Sequence, residues 1–295
     1  MRLDSFTKNS IYMFASSSVG AFFNLAYQWF ILRAVSPEEF AAFNSLLSLL
    51  LIFLFPVTSF TIMVTRHVSS SNARKEKDYL KGSWQVLARH ALIFSTCIFL
   101  LIASFSGYLA HFLHIKSQAS TVILGAIIFS CGIAAVISGG LQGLERFKLI
   151  AVISVIAGFL KLISPLALFR LFPRLEGALL GFLVAIIAGV ILSLKAAWPL
   201  LKEKVRVEIK IKEQYLFILP VAAVSLFSLL LTNLDMVLVK HLFFKEAQDY
   251  AVAQMLGKIV LFLPGFIYMV MFSLACSLHA QKSSSLQIQI GRAHV

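Results

Sequence analysis

Eight long apolar runs constrain the fold of this chain more than any other feature. The hydrocarbon core of a bilayer takes roughly 20 apolar residues per spanning helix, and six of the eight runs contain no Asp, Glu, Lys, Arg or His. Lipid leaves backbone groups no outside partner, so such runs are expected to be α-helices; barrel strands would be shorter and alternate in polarity. The predicted spans are Ile11–Leu32, Phe40–Thr65, Ala91–Ala110, Ser117–Leu144, Leu149–Phe169, Gly177–Leu194, Tyr215–Leu234 and Tyr250–Leu278.

Composition excludes an ordinary soluble domain and argues against an enzyme. Hydrophobic residues make up 59% of the 295 positions and charged residues 13%, whereas soluble domains average about 45–50% and about 25%. The three cysteines all lie within apolar runs without the spacing of metal ligands or of a disulfide framework. No catalytic constellation and no Gly-rich phosphate loop stands out. We therefore predict an all-α integral membrane protein of about eight spans, not an enzyme, with no metal and no cofactor.

The basic residues predict the orientation of the chain. Its formal net charge of +13 does not indicate nucleic acid, because the Lys and Arg residues lie in short loops between apolar runs. Most of them fall in the N-terminus and in the loops 66–89 and 195–212. Cytoplasmic loops are enriched in Lys and Arg. The prediction is a multi-pass membrane protein with a cytoplasmic N-terminus, and with 111–116 and 239–249 outside.

One basic loop and one weak repeat predict how the chain divides. The loop Lys195–Gln214 alternates charged and apolar residues, which is typical of a segment lying on anionic headgroups or, equally, of a solvated linker. Three residues around the first two spans recur at one constant offset around the last two: Gln28, Arg33 and Phe43 match Asp235, Lys240 and Tyr250. The predicted units are a six-helix lobe (1–198), a cytoplasmic linker (199–214), the first two helices of a second, repeat-related lobe (215–280) and a tail (281–295).

Polar and ionisable residues inside the spans are the candidates for function. Asn24 and Gln28 share a face of the first span, and Gln254 and Lys258 share a face of the eighth. Lys161 lies in the middle of the fifth span, where an ammonium group costs a few kcal/mol unless it has a partner or water. The alternatives are interhelical hydrogen bonding for the amides and snorkelling to the interface for Lys258.

Four segments carry a resemblance to a known family. Their order and spacing along residues 1–280 resemble the Wzx-type flippases, the polysaccharide-export branch of the multidrug/oligosaccharidyl-lipid/polysaccharide exporter superfamily. The segments are Ile31–Phe40 (ILRAVSPEEF), Gln142–Phe147 (QGLERF), Asn233–Lys240 (NLDMVLVK), and Tyr250-Ala-Val-Ala with Gly257, Lys258 and Pro264.

The resemblance implies a fold of two six-helix lobes around a central cavity, working by alternating access and commonly coupled to an ion gradient. The chain ends after two helices of the second lobe, and Gln289–Val295 resembles translated adapter sequence. We therefore expect it to be the N-terminal part of a longer protein with a partly foreign tail.

Three functions follow as hypotheses. The first is a flippase for a polyprenyl-diphosphate-linked oligosaccharide in polysaccharide biosynthesis, with membrane lipid and a coupling cation or proton as further partners. The second is a drug/cation antiporter of the same superfamily, and the third a membrane-embedded glycan polymerase or ligase. For the flippase, we expect phosphate contacts from Arg33, Lys161, Lys240 and Lys258 and, at the inner mouth, Arg66; cavity contacts from Asn24, Gln28 and Gln254; and ion coupling by Asp235.

Overall fold

The structure is a computed structural model that describes residues 2–258, except 204, 206, 208 and 210, together with Met271. Every regular element in these residues is an α-helix. The helices are α1 (Arg2–Ala34), α2 (Pro37–Phe53), α3 (Phe55–Arg74), α4 (Lys77–Ser104), α5 (Ser106–Phe112), α6 (Gln118–Gly143), α7 (Phe147–Leu168), α8 (Arg174–Leu201), α9 (Ile211–Leu242) and α10 (Ala247–Gly257). Some neighbours in the chain pack on each other, as α7 does on α8, whereas α1 packs mainly on α7.

The helices confirm an all-α protein with several membrane spans. By length and apolarity, α4, α6, α7, α8 and the Lys212–Leu242 part of α9 can each cross a bilayer, and the bent pair α2–α3 makes a sixth span. The predicted first span lies within α1, a helix of 33 residues. Most of the predicted eighth span falls outside the described residues. The chain is a multi-pass membrane protein.

The second predicted span is broken in its middle. Helices α2 and α3 meet at Leu54 with a bend of 40°, and Pro56 lies in the first turn of α3. Proline has no backbone N–H to donate and its ring clashes with the preceding turn, so a helix bends or ends there. The start of α2 is fixed by a capping box in which Ser36 and Glu39 bond each other's backbone N–H groups.

Helix α6 is the centre of the first six spans. It packs against α3, α4 and α8, and small residues on its surface allow the close approach that is typical of membrane helices. Its backbone also accepts hydrogen bonds from side chains of its neighbours. Thr65 Oγ1 donates to Gly139 O at 3.1 Å, and Trp84 Nε1 donates to Val136 O at 3.1 Å.

We predict that Gly140→Val destabilises the lobe. A Cβ atom at Gly140 would lie 2.0 Å from a ring carbon of the fully buried Trp84, so α4 and α6 would have to move apart. Overpacking of this kind costs about 1–3 kcal/mol. The midpoint of thermal unfolding in detergent should fall clearly. Gly20→Val is the matched control, because a Cβ there has nothing within 4 Å. Removal of the indole by Trp84→Ala should partly restore the unfolding midpoint of Gly140→Val. If the losses of the two single variants simply add in the double variant, the steric explanation is contradicted.

The connection between α8 and α9 is tied to the N-terminal part of α4. Lys81 forms an ion pair with Glu203, which lowers the pKa of that carboxyl. Gln85 Nε2 donates to Leu201 O at 3.1 Å, and Val205 N donates to Gln85 Oε1 at 3.4 Å. The described part of this connection is therefore held on α4.

Helix α9 is covered less than the other spans. In the most apolar 18-residue stretch of α9, 6% of the residues are buried. In the corresponding stretch of α6, 56% are buried. Its packing partners are α2, α3 and α10. The side chains that face away from them include Leu231, which is 85% exposed, and Phe227. This face of α9 meets lipid or further protein.

Candidate functional site

Lys161 is held by α1 from within the membrane. Its Nζ donates to Asn24 Oδ1 at 2.8 Å, so the two polar residues predicted on separate spans are brought together. Helices α1 and α7 pack along each other, which places the amide opposite the ammonium group. A membrane-embedded lysine needs such a partner because lipid cannot solvate its charge.

Two aromatic rings complete the surroundings of Lys161. Its Nζ lies 3.9 Å from the ring centroid of Phe182 and 4.7 Å from that of Tyr27. Ring faces attract cations electrostatically. Tyr27 is fully buried and its hydroxyl donates to Ala178 O at 2.9 Å, so the tyrosine ties α1 to α8. Sequence patterns gave no indication of either ring, since aromatic residues occur throughout the chain.

A second polar cluster joins α9 and α10. The carboxylate of Asp235 accepts a hydrogen bond from Tyr250 OH at 2.5 Å and another from Gln254 Nε2 at 3.0 Å. Ser48 of α2 extends the cluster, with its hydroxyl 3.5 Å from Gln254 Oε1. Asp235 is thus oriented by neutral donors.

Lys258, just past the end of α10, bonds to α9 rather than to a carboxylate. Its Nζ donates to Asn233 Oδ1 at 2.8 Å. The amide nitrogen of Asn233 in turn donates to Leu229 O at 2.9 Å, which fixes the oxygen toward the lysine. Asp235 attracts Lys258 electrostatically but is not among its direct contacts. Asn233 and Tyr250 lie in segments that resemble the family. Only the structure shows that Asn233 bonds Lys258 and that Tyr250 bonds Asp235.

These clusters contain charges without a direct countercharge. Ion pairs within the described residues include Lys81–Glu203 and Lys116–Glu38, both at the ends of helices. The ammonium groups of Lys161 and Lys258 are bonded by neutral amide oxygens instead, so an anion could still neutralise either of them. No group of metal-ligating side chains is found in the part of the chain that the structure describes.

The remaining predicted site residues are distributed over both ends of the helices. Arg33 is exposed and lies over Trp29, with 4.4 Å from Cζ to the ring centroid. Lys240 is 3% exposed near the end of α9, where Glu38 attracts it. Gln28 and Arg66 are half-buried on α1 and α3. The structure does not gather all the predicted basic residues at one point.

A cavity of about 550 Å³ lies inside the first lobe, between α3, α6, α7 and α8. Three threonines of α3, spaced three and four residues apart, line one wall: Thr58, Thr61 and Thr65. Cys131, whose side chain lies near Lys161, lines the same space. This hydroxyl stripe was not singled out from the sequence, although its helical spacing was the available signal.

The chain was compared with known proteins. Residues 6–275 match the family described as polysaccharide biosynthesis protein. The chain belongs to this family. No curated protein sequence is significantly similar to it.

Solved structures of MATE proteins share the fold of this chain. A MATE protein in complex with Br-NRF superposes with a TM-score of 0.73 at 16% identity, over 96% of this chain and 70% of that one. An outward-facing multidrug resistance MATE transporter of the MOP superfamily superposes with a TM-score of 0.72 at 16% identity, over 96% of this chain and 67% of that one. An inward-facing MATE transporter superposes with a TM-score of 0.67 at 16% identity, over 88% of this chain and 63% of that one. The chain thus spans about two thirds of the length of these structures. The chain therefore belongs to the polysaccharide biosynthesis protein family and has the fold of these MATE structures.

Proposed function

We propose that the protein flips a lipid-linked oligosaccharide, carried on a polyprenyl diphosphate, across the bacterial cytoplasmic membrane by alternating access. The observation that carries the proposal is a pair of intramembrane lysines that, among the described residues, have amide oxygens rather than carboxylates as hydrogen-bond partners. Lys161 and Lys258 are bonded to Asn24 and Asn233 at 2.8 Å each. A diphosphate that crosses the membrane needs cations along its route, and lysine supplies a compact positive charge for phosphate.

The position of the two lysines fits a transporter that alternates between two lobes. Helix α7 packs with α1, α6 and α8, whereas α10 packs with α2 and α9. The lysines therefore belong to different packing groups, whose separation would change as the lobes move. Sites between such repeats are where transporters of this general design bind their substrates. Arg66 on α3 serves as the contact at the cytoplasmic mouth, with Lys240 and Arg33 at the outer one.

A reconstituted assay tests this function. Full-length protein in proteoliposomes should move a polyprenyl-diphosphate oligosaccharide from one leaflet to the other, measured as protection of its sugar from an impermeant glycosidase. Protein-free vesicles set the background. Equal protection with and without protein, at verified orientation and amount, would contradict the proposal.

The second candidate, a drug/cation antiporter, is favoured by one specific observation. Asp235 is a carboxylate in a span whose hydrogen-bond donors, Tyr250 and Gln254, are neutral. Such a group can bind a proton or cation during a cycle. In the same proteoliposomes a fluorescent organic cation should accumulate if this function holds, and remain unmoved if the protein is a flippase.

The proposed orientation makes a direct prediction in intact cells. In a version without Cys97, Cys131 and Cys276, single cysteines at Lys116 and Lys245 should react with an impermeant thiol reagent, because the charge pattern places them outside. Cysteines at Lys75 and Lys202 should react only after the membrane is permeabilised. All four positions are exposed in the structure, so failure to react reflects membrane side rather than burial. Labelling of the second pair in intact cells would reverse the orientation.

A further inference from the structure

A cleft between α3, α4 and α9 stands apart from the polar clusters. We refer to it as the lateral cleft; its volume is about 330 Å³, and its lining includes Phe60, Met63, Phe94, Leu219 and Ala222. The one serine among the lining residues, Ser59, donates its hydroxyl to Phe55 O at 3.0 Å. Apart from Lys212 and the hydroxyl-bearing Tyr215, the walls therefore offer hydrocarbon.

The lateral cleft has a single charged end. Lys212 is the first residue of the apolar part of α9. It lines the cleft and its side chain is exposed. Ten residues of helix separate Lys212 from Ala222, which corresponds to about 15 Å at 1.5 Å per residue. That length is half of the roughly 30 Å hydrocarbon core. The other end reaches Phe55 and Pro56, beside the bend between α2 and α3.

The cleft is accessible from the lipid side of the molecule. Leu219 is 65% exposed and Leu216, one turn earlier on α9, is 62% exposed. The wall formed by α3 is closed by buried residues, among them Phe60 and Met63. A hydrocarbon chain can therefore enter sideways from the bilayer while its headgroup stays at the level of Lys212.

We propose that the lateral cleft binds one acyl chain of an anionic phospholipid of the cytoplasmic leaflet, with Lys212 against its phosphate. A phospholipid fits better than the diphosphate carrier because one exposed lysine matches one phosphate. Anionic lipids are concentrated in the cytoplasmic leaflet, where basic residues attract them. The lipid joins α9 to α3 and α4, and so sits at the boundary that must open and close during transport. This site is independent of the transported substrate.

Native mass spectrometry of the full-length chain tests the site. The probes are phosphatidylglycerol and phosphatidylcholine with identical acyl chains. Wild-type protein should retain phosphatidylglycerol about fivefold more than phosphatidylcholine, the effect of one lysine near the surface. Lys212→Ala should bring the two lipids to equal retention. Ala222→Phe, which fills the deep end of the cleft, should reduce retention of both.

Matched controls separate the cleft from general attraction to the protein surface. Lys202→Ala removes an exposed basic residue outside the cleft, and Leu231→Phe enlarges an exposed side chain of α9 away from it; both should retain lipid like the wild type. If Ala222→Phe fails to fold, as judged by gel filtration, Ala222→Leu replaces it. Equal retention of the two lipids by wild type, or an unchanged ratio in Lys212→Ala, would overturn the proposal. Displacement of phosphatidylglycerol by a polyprenyl phosphate at equal concentration would overturn the choice of phospholipid.

Discussion

Replacement of Lys258 by alanine should impair glycan export at least about tenfold, given about 1.5–3 kcal/mol for a hydrogen bond to a charged group. The variant removes an intramembrane ammonium group whose bonded partner is the neutral oxygen of Asn233. If that ammonium binds the substrate diphosphate, its loss weakens binding directly. The amount of surface glycan in cells that depend on the full-length protein is the measurement, normalised to the amount of protein in the membrane.

Two companion variants make the Lys258 prediction specific. Lys258→Arg keeps the charge but alters its geometry, so it should retain part of the export. Lys245→Ala removes an exposed lysine beside Phe244, just after the C-terminal end of α9, and should export normally. Wild-type export by Lys258→Ala at matched protein amount would remove Lys258 from the site and leave snorkelling as its explanation.

Replacement of Asp235 by asparagine should abolish coupling to an ion gradient while membrane insertion stays normal. The change is nearly isosteric, and an asparagine oxygen can still accept one of the bonds from Tyr250 or Gln254. An amide cannot, however, exchange a proton or carry the charge that would balance a cation. In proteoliposomes, transport by wild type should therefore respond to an imposed pH or sodium gradient, and transport by Asp235→Asn should not.

Asp249→Asn is the control for Asp235, because Asp249 is an exposed carboxylate in the first turn of α10. Its transport should follow the gradient as the wild type does. A wild-type response by Asp235→Asn would assign the carboxylate a packing role between α9 and α10. The result also bears on the antiporter alternative, which requires this carboxylate more strictly than the flippase does.

Much of the candidate site lay beyond what the sequence predicts. Asn24 and Lys161 were each found as polar residues in apolar runs, yet their pairing joins residues 137 positions apart. Asp235 is predicted from the sequence only as a candidate for ion coupling, whereas the structure gives it two bonded donors, Tyr250 and Gln254. Periodicity along one helix cannot predict such partners, because they depend on how two helices rotate against each other.

The sequence by itself determined the class of the protein and its main spans. That was possible because lipid acts locally: each apolar run must satisfy its own backbone as a helix, whatever its neighbours do. A bend near Leu54 could also be expected from the sequence, because Pro56 has no backbone N–H to donate. The partners of Lys161 and Lys258, the threonine-lined cavity and the lateral cleft were decided by the tertiary structure. These features arise where side chains of distant helices meet, and the packing that brings them together depends on the shapes of all the helices at once.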